Sequence, residues 1–330
     1  MHQKTVNPKM PTQRTLKGHT MGVHKIAFNP AEYEILVSAA LDGSIRIWDT
    51  DTSDCIGTIC SDYTLNDITW NRSGTHLATC QDDGKLTVWD LQHGLPKEKP
   101  EDVAITIEAR NHSGTCCVSY DGSGTGLLAT GSMNGVVKLW DINASRQSAE
   151  IVTTRRNFNV VSIDFSPDGK NICVASTDGM IRIYDRRNCA RLSLSEENSR
   201  LTEGRDIRVA CSFAKYTPDG RGLIVGYVNG TIVYFDKQGD VIDKLKSKYG
   251  KKSSCVAVFT NRTERCSEML LGCRNGRTLT YNLKDPKLEL AFFNIPDGIA
   301  VLDHHPKRHI VASVSPLSSS VDLWRYSKKS

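Results

Sequence analysis

Three residues near the amino terminus carry the groups of a hydrolytic triad. His19, Ser38 and Asp42 supply an imidazole, a hydroxyl and a carboxylate, the base, nucleophile and orienting acid of that chemistry. The same groups also make a closed hydrogen-bonded cluster with nothing reactive in it, provided every donor and acceptor is satisfied. Their setting is residues 16–49, LKGHTMGVHKIAFNPAEYEILVSAALDGSIRIWD. Ser38 stands four residues before Asp42, and Trp48 six residues after it. ILVSAA and SIRIWD are short runs rich in β-branched and aromatic residues, and Asp42-Gly43 between them is a strong hairpin signal. Asp42 can turn its carboxylate back onto the amides of its own turn and still accept from an imidazole.

Other reactive side chains are scattered. Eleven cysteines fall at 55, 60, 80, 116, 117, 173, 189, 211, 255, 266 and 273, with no CxxC and no paired histidine spacing. An odd number without a metal or disulfide pattern implies reduced thiols and an intracellular setting, nucleus or cytoplasm. Cys80, Cys173, Cys211 and Cys273 fall in predicted strands, where a thiol serves as a small hydrophobe. His304-His305 precedes Pro306 at what reads as a strand end rather than a metal site. No G-x-S-x-G elbow, P-loop, H-E-x-x-H or paired-carboxylate constellation occurs. Neither a catalytic residue nor a cofactor or metal is expected.

The 330 residues carry a net charge of +5, mildly basic and short of a nucleic-acid-binding signature. No apolar run reaches the ~18 residues of a membrane span. The first fifteen residues have no apolar core, so no secretory signal is expected there.

These side chains are positioned by a repeat. Three-strand units recur through LNDITW, HLATC and Trp89-Asp90; CCVSY, LLATGS and Trp140-Asp141; VVSIDF, ICVAS and Tyr184-Asp185. They continue through FAKY, LIVGY and Phe235-Asp236; CVAVF, MLLGC and Tyr281-Asn282; and AVLDHHP, HIVASVS and VDLWRY. With the first, they make seven units of about the blade period. Only the first unit has His19, Ser38, Asp42 and Trp48 together. Asn134, Asn229 and Asn275 replace the turn aspartate in units three, five and six, and Val174, Val225 and Leu271 replace the serine in units four to six. Three connections, 91–111, 186–208 and 236–254, are longer than a tight repeat needs.

The GH…WD pattern over nearly the whole chain resembles the WD40-repeat family. That resemblance implies an all-β, seven-bladed WD40 β-propeller in one domain over residues 11–330, with 1–10 a flexible terminus. It also implies that PTQRTLK, residues 11–17, joins the last blade beside Trp324 and closes the ring. In the family, His19, Ser38, Asp42 and Trp48 correspond to a structural tetrad inside the blade, which favours the cluster over the triad. The closing blade and IRIYDRRN are similar to segments of WD40 subunits of nuclear chromatin-modifying complexes.

Propellers of this family bind partners around the channel on their narrow face. Carried over, the candidate rim is His24 and Leu41, Asn66 and Asp82, Cys116 and Met133, Val161 and Thr177, Ser212 and Val228, Arg274 and Ala300. It is mostly small and nearly uncharged. A second candidate is the basic stretch Lys244, Lys246, Lys248, Lys251 and Lys252. Nucleic-acid recognition needs several converging cations with exposed aromatics, and the rim supplies only Arg274. The expectation is a non-catalytic, monomeric scaffold or adaptor for proteins or peptides in a multi-subunit complex, with a lean to a nuclear chromatin-associated one. The alternatives are an RNA-associated propeller in messenger-RNA processing or export, and an enzyme built on a propeller. No appended domain and no membrane association are expected.

Overall fold

The computed structural model describes residues 12–61, 63–92, 104–108, 114–153, 158–192, 209–246, 255–259, 268–283, 288–295 and 298–325. These residues form seven four-stranded antiparallel sheets and no helix. The expected flexible stretch 1–10 lies outside the described residues.

The first blade is Val23–Phe28, Ile35–Ala40, Ser44–Asp49 and Cys55–Cys60. Its second strand is buried on both faces, because sheets stand against it on either side, and so it reads as a continuous apolar run rather than an alternation. The fourth strand is mostly exposed. Asp42-Gly43 makes the hairpin the sequence predicts, with Gly43 at φ 73° and a virtual Cβ only 2.6 Å from the Ser61 carbonyl. Any other residue there meets both left-handed backbone and a clash.

The core is seven slabs rather than one centre. Each apolar cluster is shared by two consecutive blades, as when Val37, Ile45 and Ile47 of the first blade pack with Leu65, Trp70 and Leu77 of the second. The series ends where it began: Leu16, Ile310, Val321 and Leu323 pack with Val23, Phe28, Leu36 and Trp48. The ring is therefore closed. Carboxylates on innermost strands tie blades across these slabs. Asp67 accepts from the Val118 amide at 3.1 Å, Asp164 from the Tyr216 amide at 2.8 Å, and Asp303 from the Phe28 amide at 2.8 Å.

The seam matches the sequence expectation. Thr12–Lys17 runs antiparallel to Ser320–Arg325, with Gln13 opposite Trp324 and Leu16 opposite Val321. Leu16 is 1% exposed.

The three long connections need correction. Each contains the outer strand of the preceding blade: Ala104–Glu108, Arg191–Leu192 and Val241–Lys246. Lys244 and Lys246 thus stand on a strand, not in a loop. Lys248, Lys251 and Lys252 lie outside the described residues. The outer strands escape sequence reading because their described residues are largely exposed, so little apolar alternation remains.

Candidate functional site

The first blade's cluster forms as the spacing requires. His19 Nε2 lies 2.7 Å from Ser38 Oγ, and the Trp48 indole N–H donates to the same oxygen at 2.8 Å. On the other edge of the imidazole, Nδ1 lies 3.1 Å from Asp42 Oδ2. With the proton on Nδ1, Nε2 accepts from the Ser38 hydroxyl, and both ring nitrogens and the indole N–H of the cluster have partners. Asp42 also accepts from the Ser44 hydroxyl at 2.6 Å and the Thr20 amide at 2.9 Å. Burial holds the His19 pKa down despite Asp42 beside it. Burial also opposes ionisation of Asp42, but the Ser44 and Thr20 donors outweigh it and hold its carboxyl well below the usual range. Ser38 is fully buried, so its hydroxyl cannot reach a substrate from solvent. The cluster fastens strands together.

Half of it recurs. Trp89, Trp140 and Trp324 donate their indole N–H to Thr79, Thr130 and Ser313 at 3.2, 2.9 and 2.8 Å. Where the aromatic is Tyr184, Phe235 or Tyr281, the hydroxyl position holds Val174, Val225 or Leu271. The indole N–H and the hydroxyl that accepts from it are replaced together, so the Trp–hydroxyl bond is lost as a pair. The turn asparagines keep the backbone part of the aspartate's role: Asn229 accepts from the Thr231 amide at 2.9 Å, as Asp178 does from Met180. In the fourth blade, Arg182 donates to Asp178 at 2.6 Å and to Ser176 at 2.9 Å, an ion pair buried where the first blade has histidine. Sequence reading did not find this pair. An arginine four residues after the turn aspartate was its only signal, and Arg46 stands at the same spacing with a different partner.

The candidate rim residues share a geometric rule. His24, Asn66, Cys116, Val161 and Ser212 are each the residue skipped in the pairing of the innermost strand with the second. A β-bulge adds one unpaired residue and re-aims its side chain. The pre-turn residues close the same edge: the amides of Leu41, Asp82, Met133, Thr177 and Val228 donate to the carbonyls of Gly22, Thr64, Gly114, Asn159 and Ala210. Each of those carbonyls lies two residues before a bulge. Five blades thus bring both candidate positions to one end. In the sixth and seventh blades the described innermost strands pair without a bulge. Arg274 and Ala300 are exposed there.

Three residues on this edge were not foreseen. Met21 and Tyr63 are half exposed, and Leu317 is 92% exposed. Leu317 also holds φ at 64°, the left-handed region that costs a non-glycine residue about 1–2 kcal/mol. It stands against Gly22 at 3.6 Å from that residue's virtual Cβ, and Ser318 accepts from the Val23 amide at 2.8 Å. No sequence rule exposes a leucine in a Ser-rich turn. Beside Tyr63, Lys85 Nζ sits 4.9 Å from the ring centre, and Asn66 donates to Asp82 at 2.7 Å.

Among the described residues no group of His, Cys, Asp or Glu is arranged to hold a metal, and no helix is long and apolar enough to cross a membrane. His304 ends its strand, as expected. His305 is buried, with Nδ1 accepting from the Lys307 and Arg308 amides at 3.0 and 2.8 Å and its ring 5.3 Å from Phe28.

Seven radial sheets with partner candidates at one end define a β-propeller of the interaction-scaffold type. The WD domain, G-beta repeat family matches residues 10–49, 53–90, 105–141 and 150–185, and the chain belongs to the WD40-repeat family. It is similar to the nuclear distribution protein PAC1 of Arthroderma otae, 28% identical over 244 residues, 63% of this chain and 50% of that protein. It is also similar to the guanine nucleotide-binding protein subunit beta of Arabidopsis thaliana, 24% identical over 311 residues, 77% of this chain and 80% of that one. The cell division cycle protein cdt2 of Schizosaccharomyces pombe is 24% identical over 356 residues, 97% of this chain and 66% of that protein. The chain thus spans only half the length of the PAC1 relative.

Proposed function

We propose that this protein is a non-catalytic adaptor that holds a protein or peptide partner on the bulged edge of its ring. One observation carries the reading. Leu317, Met21, Met133 and Val228 leave apolar surface in solvent at the edge where the bulges and pre-turn residues converge. Exposed apolar surface rimmed by polar groups is the ordinary signature of an interaction site. Asp82, Asn66 and Arg274 supply a sparse polar frame, which favours a polypeptide over nucleic acid. The relatives support the class: one is named as a subunit and another as a cell division cycle protein. By this reading the protein acts as a monomer inside the cell, in a nuclear or cytoplasmic assembly. A chromatin-associated complex is the particular setting we favour, from the likeness of the closing blade.

Affinity purification of the tagged chain, followed by mass spectrometry, tests it. The expected result is a stoichiometric set of subunits that is lost from a Leu317→Gly, Met21→Ser double variant. A protein recovered alone, or a set indifferent to both substitutions, defeats the reading. Co-purified RNA that disappears with salt instead supports an RNA-associated propeller.

A further inference from the structure

The strand Ser44–Asp49 begins at the bulged edge and ends at the opposite side of the ring, where Thr50 and Asp51 follow it. There, between the seventh and first blades, lies a cavity of about 320 Å³ lined by Arg14, Thr50, Asp51, Ile310, Leu323 and Arg325. It sits on the seam: Arg14 is opposite Leu323, and Arg325 ends the strand that Thr12–Lys17 joins.

Its lining is built for one kind of ligand. Ile310 and Leu323, both buried, provide an apolar wall. Arg14 and Arg325 are exposed, and Arg14 commits one N–H to the Asp51 carbonyl at 2.6 Å. Asp51 places a carboxylate beside them, but Arg308 occupies it, donating to Asp51 at 2.6 Å and to Glu34 at 2.9 Å. Three guanidinium groups against two carboxylates leave one positive charge over. Thr50 is 3% exposed and its hydroxyl has no hydrogen-bond partner, although its amide is satisfied by the Glu34 carbonyl at 2.8 Å. A buried hydroxyl without a partner is destabilising until an acceptor reaches it.

We propose that this seam cavity binds the carboxyl terminus of a partner polypeptide ending in an aliphatic residue. The terminal carboxylate sits between Arg14 and Arg325, balances the single surplus charge and accepts from the Thr50 hydroxyl. The last side chain lies against Ile310 and Leu323. A monoanion fits the charge count where a dianionic phosphate does not. The volume is at the small end of ligand sites, suited to a chain end rather than a folded surface. This site is separate from the bulged edge, and the two can be occupied together.

Fluorescence anisotropy of the full chain against fluorescein-labelled hexapeptides, random in sequence but ending in leucine with a free carboxylate, tests the proposal. The expected result is saturable binding that weakens at least tenfold when the same peptides are amidated. Arg325→Met is expected to weaken it to a similar degree, and Thr50→Val about threefold or more. Leu317→Gly, on the other edge, should leave it unchanged. Equal binding of free and amidated peptides overturns the proposal, as does binding indifferent to both Arg325→Met and Thr50→Val. Amidated peptides with an internal glutamate that bind as tightly overturn the terminal assignment and move the carboxylate to a side chain. Since Arg325 is exposed, Arg325→Met folds, and failure of the adaptor reading leaves this measurement interpretable.

Discussion

The Thr15 hydroxyl donates to the Asp322 carboxylate at 2.7 Å, across 307 positions of sequence. It is the outward sign of a seam whose inward side is Leu16, held against Val321 and Leu323. Replacing Leu16 by Ala leaves a cavity shared by two blades and is expected to cost about 2–5 kcal/mol. Thr15→Val, at the exposed surface, should change stability by less than about 1 kcal/mol. Urea denaturation of both variants checks the pair of values. Equal effects would mean that the seam is held by surface polarity and not by burial.

Ser38→Ala removes the acceptor of the Trp48 indole and the partner of His19 Nε2 together. Each buried group left over costs about 1–3 kcal/mol. Trp48→Phe alone removes one of the two. A double-mutant cycle on Ser38 and Trp48 should show a coupling of about 0.5–3 kcal/mol, and additive losses would contradict the cluster.

In the fourth blade, Asp178 and Arg182 are buried and paired. Burial alone raises the Asp178 pKa, but Arg182 and Ser176 reverse it and hold the carboxyl low. Arg182→Met strands a buried carboxylate and is expected to cost about 3–5 kcal/mol at pH 7. The double variant Arg182→Met, Asp178→Asn should recover most of that loss in thermal unfolding.

Acid should weaken the fold in two steps. Burial lowers His304 and His305 to about 4 each, so both are neutral when folded and bind protons first when unfolded. Their contribution is complete above the ordinary histidine pKa near 6.5 and is lost as pH falls from there to about 4. Asp42 and Asp178, held low in the fold, add a loss at still lower pH. His305→Asn keeps an acceptor for the Lys307 and Arg308 amides but does not titrate. Its melting temperature should fall less steeply between pH 6.5 and 4, and an unchanged slope would remove His305 from the account.

Leu317 separates stability from binding. Leu317→Gly relieves a left-handed backbone and removes nothing from the core, so its melting temperature should equal or exceed the parent's. Capture of the partner should drop even so. A destabilised Leu317→Gly would assign the residue a structural role instead.

The repeat was legible because its inner strands are covered on both sides. ILVSAA, LLATGS and ICVAS leave no polar alternation to confuse them, and each is punctuated by Asp-Gly or Asn-Gly. The rim residues could be numbered from those turns, and the bulges at His24 and Asn66 supply the physical reason. CIGTIC and VIDKLK were not readable as strands, because their described residues are mostly exposed and carry no apolar alternation. Neither Leu317 nor the seam cavity could be read either. The first is an exposed apolar residue in a turn of serines, and the second brings Arg14 and Thr50 to the paired residues Ile310 and Arg325 of the closing hairpin.

The seam also sets an order of events at the ribosome. The strand Thr12–Lys17 is made some three hundred residues before the strand Ser320–Arg325 that it pairs with. At ~5–20 residues per second, roughly 15–60 s separate Leu16 from the arrival of Val321. Throughout that interval the Phe28 amide lacks Asp303, and a lone strand edge waits in the open. Until the last blade is made, the sheets can form only an open horseshoe, and closure waits on the pairing of Leu16 with Val321.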